Sequence, residues 1–238
     1  MQMHVRRFYM SLRFILWPAA ALLALGCRPE GGDGSSPPAG AIAPAAAQEM
    51  KLTPLPGKAG TAPALTEVTT VRLSTTAGEV LIEVYPQAAP NAAKRFVELV
   101  RSGFYDGTPI SRVVPGFVAQ FGINWREPHR AYENRAFNDD PSWFALERGT
   151  LAFAKGGLNT NSTQVFINYR ENNRLTEPEL NFSAFAKVVD GMDVVDEFVQ
   201  VGDPSGGLNQ GRLWADGAAY LESLPVKPTM IETATVVE

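Results

Sequence analysis

From Val68 to Val237 the chain alternates apolar and polar residues in short runs, and the period lengthens to that of a helix in only two places. V-T-T-V-R-L-S (Val68 to Ser74) and E-V-L-I-E-V-Y (Glu79 to Tyr85) alternate with period two and meet at Ala77-Gly78, which predicts a hairpin. Between Pro90 and Ser102 the stripe changes: Ala92, Phe96, Leu99 and Val100 fall on one side, a proline opens the segment and Gly103 stops it. That spacing predicts an amphipathic helix. Strand-like runs recur at Ile110 to Val114, Phe117 to Phe121, Thr150 to Ala154, Gln164 to Asn168 and Phe185 to Val189. A second helix is expected from Asp193 to Val199 and a closing strand from Met230 to Val237. Many short strands with few helices in one unit, 65–238, describe a closed or nearly closed β-barrel with helices packed at its ends.

Ahead of this unit the texture is different. Residues 1–26 carry a basic start (Arg6, Arg7, Arg13) and an apolar run from Phe14 to Leu25, too short to span a bilayer, and so read as an export leader. L-A-L-G-C, ending at Cys27, resembles the lipobox of bacterial lipoproteins, in which the leader is cut before a cysteine that carries the lipid. Cys27 is therefore the expected lipid anchor, and residues 27–64, rich in Pro, Gly, Ala and Ser, the expected flexible linker. These features imply a lipid-anchored protein of the cell envelope. Arg28, in place of the aspartate that retains many lipoproteins at the inner membrane, favours the outer membrane facing the periplasm.

Composition narrows the chemistry. The 238 residues include one cysteine, Cys27, and two histidines, His4 and His129, of which His4 lies in the leader. A zinc site of the usual kind needs three or four His or Cys ligands, and a Ser-His or Cys-His pair needs a placed base, so the body is short of both. With a net charge of −4 and scattered basic residues there is no footprint for nucleic acid. No metal, cofactor or covalent intermediate is expected. Gly202 to Tyr220 has spaced acidic and amide oxygens but no bidentate-Glu calcium loop, and reads as a turn-rich connection.

Two stretches carry more information: F-Y-D-G-T-P-I-S-R-V-V-P-G-F-V-A-Q-F-G (Phe104 to Gly122) and G-T-L-A-F-A-K-G-G-L-N-T-N-S-T-Q-V-F-I (Gly149 to Ile167). Together they resemble the two signature stretches of cyclophilin-type peptidyl-prolyl cis-trans isomerases, and the likeness runs in order from about Val68 to Val237. The resemblance implies a closed eight-stranded antiparallel β-barrel capped by two α-helices, no cofactor, and a groove on one outer face that accepts proline-containing polypeptides. A monomer is expected. By its R-x-x-x-x-F-x-x-Q spacing Arg112 matches the family's catalytic arginine, although an arginine on a strand is more commonly a surface residue.

Phe117 and Phe166 match the aromatic pair of the proline pocket, with Val118 where methionine is usual and Leu175 and Phe182 as further walls. Gln120 and Gln164 match polar contacts to the substrate backbone and to the arginine, while Ala154 and Lys155 correspond to a backbone-contacting stretch. Phe96, Phe121 and Phe153 are assigned to the core.

The departures have implied consequences. Ser111 stands where histidine is common and Lys155 where asparagine is common, which implies an altered preference for the residue before proline. Arg174 replaces the tryptophan associated with cyclosporin binding, which implies weak cyclosporin sensitivity. The rival reading is a non-catalytic binding module of the envelope. Asn124 to Glu147, with His129, Trp125 and Trp143, looks like the longer loop of some bacterial members, expected to pack with Trp143 against the barrel.

Overall fold

The computed structural model describes residues 52–237. The leader, Cys27 and the linker up to residue 51 lie outside the described residues. Eight strands close into one antiparallel barrel: β1 (Thr69–Thr75), β2 (Gly78–Val84), β3 (Thr108–Val114), β4 (Val118–Phe121), β5 (Thr150–Phe153), β6 (Val165–Asn168), β7 (Ala186–Asp190) and β8 (Met230–Val237). They neighbour one another in the order β1-β2-β7-β5-β6-β4-β3-β8, and β8 pairs back onto β1.

Alternation along each strand sorts the side chains into two populations. Ile110, Val113, Ala119, Phe121, Leu151, Phe153, Val165 and Ile167 point inward and join Val71, Leu73, Val80 and Ile82 in the interior core. Val118, Ala152 and Phe166, one residue out of step, belong to a separate apolar cluster on the outer face. The register of β3 slips between Ile110 and Arg112, a bulge at Ser111 that lets Ile110 and Val113 both face in while Arg112 faces out.

Helix α1 (Pro90–Arg101) buries Ala92, Ala93, Phe96, Leu99 and Val100 in the same interior core. Its N-cap residue, Ala89, supplies no side-chain acceptor. Asp140, 48 residues beyond Ala92, takes that role: its two carboxylate oxygens accept from Asn91 N at 3.1 Å and Ala92 N at 2.9 Å. Burial nevertheless pushes the Asp140 carboxyl above its ordinary value, against the pull of those two N–H groups. Phe96, Phe121 and Phe153 are all core residues, as expected. Helix α2 (Met192–Asp196) adds Val195 to the core and is shorter than the expected Asp193 to Val199.

Two expectations need correction. The stretch Gly202 to Tyr220 is more than a turn-rich connection: it contains most of α3 (Gln210–Asp216) and α4 (Ala218–Ser223), so the described residues hold four α-helices instead of two. Leu208, Leu213 and Tyr220 form a satellite core with Ile123 and Val201, flanked by Trp125, Trp214, Leu221 and Leu224. Trp125 lies so close to Gly217 that a Cβ there would clash with the indole ring, which ties the segment down.

The flexible linker, expected to reach residue 64, gives way to packed chain by residue 52. Leu52 and Leu55 are buried, Pro54 bridges Phe144, and Leu55 N donates to Trp143 O at 2.9 Å while Ala145 N donates to Thr53 O at 2.8 Å. Trp143 does pack in the long loop, as expected, but it is covered by this N-terminal segment, with the Lys58 ammonium 5.8 Å from the ring centroid.

Candidate active site

The outward residues of four neighbouring strands make one row. Arg112 on β3 is the register partner of Gln120 on β4, which is the partner of Phe166 on β6, which is the partner of Ala152 on β5. A groove of about 450 Å³ runs over this row. It is lined by every substrate-contact residue anticipated from the sequence: Arg112, Phe117, Val118, Gln120, Ala154, Lys155, Gln164, Phe166, Leu175 and Phe182. Gly156, Thr160, Ser162 and Gln210 complete it. None of these four was anticipated from the sequence, and Gln210 is the one that comes from outside the two signature stretches.

At one end the groove is apolar. The rings of Phe166 and Phe182 meet edge to face at 5.7 Å, and Leu175, Val118 and the half-buried Phe117 complete the recess. Phe117 is fixed through its backbone: its carbonyl accepts from Tyr169 N at 3.0 Å and from Asn172 Nδ2 at 3.2 Å. Asn172 in turn donates to Asn168 Oδ1 at 2.7 Å, and Asn168 donates to Thr150, so buried amides hold the wall.

Alongside the recess runs a polar chain with a defined direction. Arg112 Nη1 donates to Gln120 Oε1 at 3.2 Å, Gln120 Nε2 donates to Gln164 Oε1 at 2.8 Å, and Gln164 Nε2 donates to Gln210 Oε1 at 3.2 Å. A guanidinium can only donate, so it fixes the orientation of each amide in turn. Arg112 Nε donates to the Ser205 carbonyl at 2.6 Å, and the guanidinium carbon lies 5.7 Å from the Phe117 ring centroid. Partial burial lowers the Arg112 guanidinium from its ordinary value, and it remains protonated at neutral pH. With Nε and one Nη1 hydrogen engaged, the Nη2 hydrogens have no partner among the described residues.

Two residues behave differently from expectation. The Lys155 side chain is only 2% exposed and its ammonium is taken up internally, by Asp139 Oδ2 at 2.7 Å and Asn181 O at 3.1 Å, 5.0 Å from the Phe182 ring centroid. Its charge is thereby neutralised at the groove wall. Ser111, expected to tune preference, is buried and does not line the groove; its hydroxyl donates to Gln120 O at 3.3 Å.

Comparison with known proteins agrees with this geometry. The family model for the cyclophilin type peptidyl-prolyl cis-trans isomerase matches residues 70–217. The chain is 33% identical to peptidyl-prolyl cis-trans isomerase A of Dickeya dadantii over 74% of its own length and 88% of that protein. It is 32% identical to peptidyl-prolyl cis-trans isomerase B of Escherichia coli, over 71% of its length and 99% of the relative. Among solved structures, a cyclophilin type isomerase from Cryptosporidium parvum superposes with a TM-score of 0.54 at 22% identity, covering 72% of this chain and 99% of that one. The same Cryptosporidium protein has been solved in the presence of the dipeptide Ala-Pro, and superposes with a TM-score of 0.53.

Proposed function

The chain belongs to the cyclophilin-type peptidyl-prolyl cis-trans isomerases and catalyses rotation about X-Pro bonds, and from that premise we propose that Arg112 is the residue that favours the twisted amide. An X-Pro bond turns slowly because resonance gives its C–N bond double-bond character, with a barrier of roughly 18–20 kcal/mol. As the bond twists, the prolyl nitrogen becomes pyramidal and gains a lone pair. A rigid cation that donates to that lone pair stabilises the twisted state more than either planar one, which is the requirement for catalysis.

The observation that carries this reading is the guanidinium itself. It is held at Nε by Ser205 and at Nη1 by Gln120, its Nη2 hydrogens have no partner among the described residues, and Arg112 lines the same groove as the Phe117, Phe166 and Phe182 recess. The recess would hold the pyrrolidine ring by contact alone, leaving the peptide on one side of the bond free to swing. Gln120 and Gln164 would hold backbone on the other side.

The test is a protease-free assay of cis-to-trans relaxation in a short X-Pro peptide. Arg112→Ala should lower kcat/KM about a hundredfold, in the range seen when a preorganised donor to a transition state is removed. Equal rates for the two proteins would overturn the assignment.

The clients are proposed to be proteins folding outside the cytoplasm, where prolyl isomerisation is a slow step. The support is the leader and the lipobox-like L-A-L-G-C, which would tether the enzyme through Cys27 to the envelope, at the outer membrane facing the periplasm. Mass spectrometry of the membrane-extracted chain should find a diacyl or triacyl group on Cys27; an unmodified N-terminus elsewhere would reject the anchor.

A further inference from the structure

The turn that follows Val201 reaches the active site from outside the barrel sheet. Asp203 and Gly207 exchange both backbone hydrogen bonds at 2.8 Å, making a closed loop of the residues between them. Inside it the Asp203 carboxylate folds back on its own turn: Oδ1 accepts from Ser205 N at 2.9 Å, Ser205 Oγ at 2.8 Å and Gly206 N at 2.7 Å. These bonds orient the Ser205 peptide so that its carbonyl accepts from Arg112 Nε at 2.6 Å.

The loop is seated on β3 at the bulge. Ser111, the residue beside the register slip, accepts from Leu208 N at 2.8 Å through its carbonyl, and Leu208 is buried in the satellite core. Gly207 has φ +74°, and a Cβ there would stand 2.6 Å from Arg112 Cβ, so the loop backbone lies directly on the arginine. Two residues beyond Leu208, Gln210 closes the amide chain that starts at Arg112.

We propose that Asp203 is a positioning residue for isomerisation, acting through the Ser205 carbonyl to fix the azimuth of the Arg112 guanidinium. Gln120 holds the guanidinium at one corner and Ser205 at another, and two anchors on a planar group leave its remaining hydrogens a single direction. Asp203 is not among the residues that line the groove. Its three internal bonds hold the carboxyl below its ordinary value, so the turn keeps its charged form at neutral pH.

The inference rests on Arg112 being the catalytic donor, and a double-mutant cycle separates the two claims. Wild type, Asp203→Ala, Asp203→Asn, Arg112→Ala and the double variant Asp203→Ala/Arg112→Ala are assayed on one short X-Pro peptide. Asp203→Ala should lower kcat roughly tenfold with KM unchanged, the signature of lost orientation in place of lost binding. Asp203→Asn, whose Oδ1 can accept the same three bonds, should restore the rate. In the Arg112→Ala background Asp203→Ala should have no further effect.

The Nε–H proton resonance of Arg112 provides a readout independent of turnover. It should be shifted downfield and slow to exchange in wild type and Asp203→Asn, and lose both properties in Asp203→Ala. An Asp203→Ala enzyme with wild-type kcat, an equal loss in both backgrounds, or an unaltered Nε–H resonance would each overturn the proposal. Wild-type activity in Arg112→Ala would instead sink the reading beneath it.

Discussion

Phe121 and Gln120 are neighbours on β4, yet one is sealed among the rings of the barrel interior and the other is held in the polar chain of the groove. The same alternation separates Ile167 from Phe166 on β6 and Leu151 from Ala152 on β5. What differs is the form of complementarity each side needs. Inside, the contacts are non-directional and volume decides: Phe121 meets Tyr105 at a ring separation of 5.3 Å, and Tyr105, wholly buried, has its hydroxyl pushed well above its ordinary value by desolvation. Outside, the contacts are directional, and a donor must point one way for an amide to point the next.

Substitutions should therefore separate stability from rate across a single strand. Phe121→Ala should have the largest effect, about 3–5 kcal/mol of unfolding free energy lost from a fully buried ring, read by denaturant titration. Ser111→His should also act on stability. The hydroxyl is buried beneath the Leu208 loop, so a larger side chain overpacks the bulge by roughly 1–3 kcal/mol. A change in preference for the residue before proline, with an unchanged melting curve, would show instead that position 111 reaches the substrate.

Gln120→Ala should reverse the pattern, lowering kcat/KM about tenfold, or about 1.4 kcal/mol, with a nearly unchanged denaturation midpoint. A variant that melts before it slows would put Gln120 with the core. The smallest effect expected is that of pH. Among the described residues no carboxylate, histidine or cysteine lines the groove, and the guanidinium, though lowered by burial, keeps its proton far above neutrality. kcat/KM should then be flat from about pH 6 to pH 9 wherever the enzyme remains folded. A bell-shaped profile would require a carboxylate, histidine or cysteine acting on the substrate, and none among the described residues lines the groove.

The legible and illegible parts of this protein divide along the range of the interactions that define them. The strand runs and the α1 stripe are local and placed β8 at Met230–Val237, while the resemblance carried by Phe104 to Gly122 and Gly149 to Ile167 implied ten residues that the structure places along the groove. The Gly202 to Ser223 segment was obscure because its helices are 7 and 6 residues long and are stabilised by Ile123 and Trp125, some 80 residues earlier in the chain. With no partner in view, its glycines and polar residues describe turns. Gln210 was hidden for the same reason, since nothing in its own neighbourhood indicates that it will meet Gln164.

The segment beginning at residue 52 shows the opposite error. Its proline and glycine content suggested a tether, but Leu52 and Leu55 are enough to fasten it to Trp143 and Phe144. Lys155 is a third case: it matched a groove position by spacing, and only the fold brings Asp139 and Asn181 close enough to occupy its ammonium.

The pairing of β8 with β1 has a further consequence for a protein that binds proline-containing polypeptides. A sheet whose last ribbon is zipped to its first leaves fewer vacant rungs of backbone donors and acceptors for a sticky chain to extend. With fewer such rungs on offer, the closed barrel is a poor template for the strand-on-strand stacking that seeds aggregates.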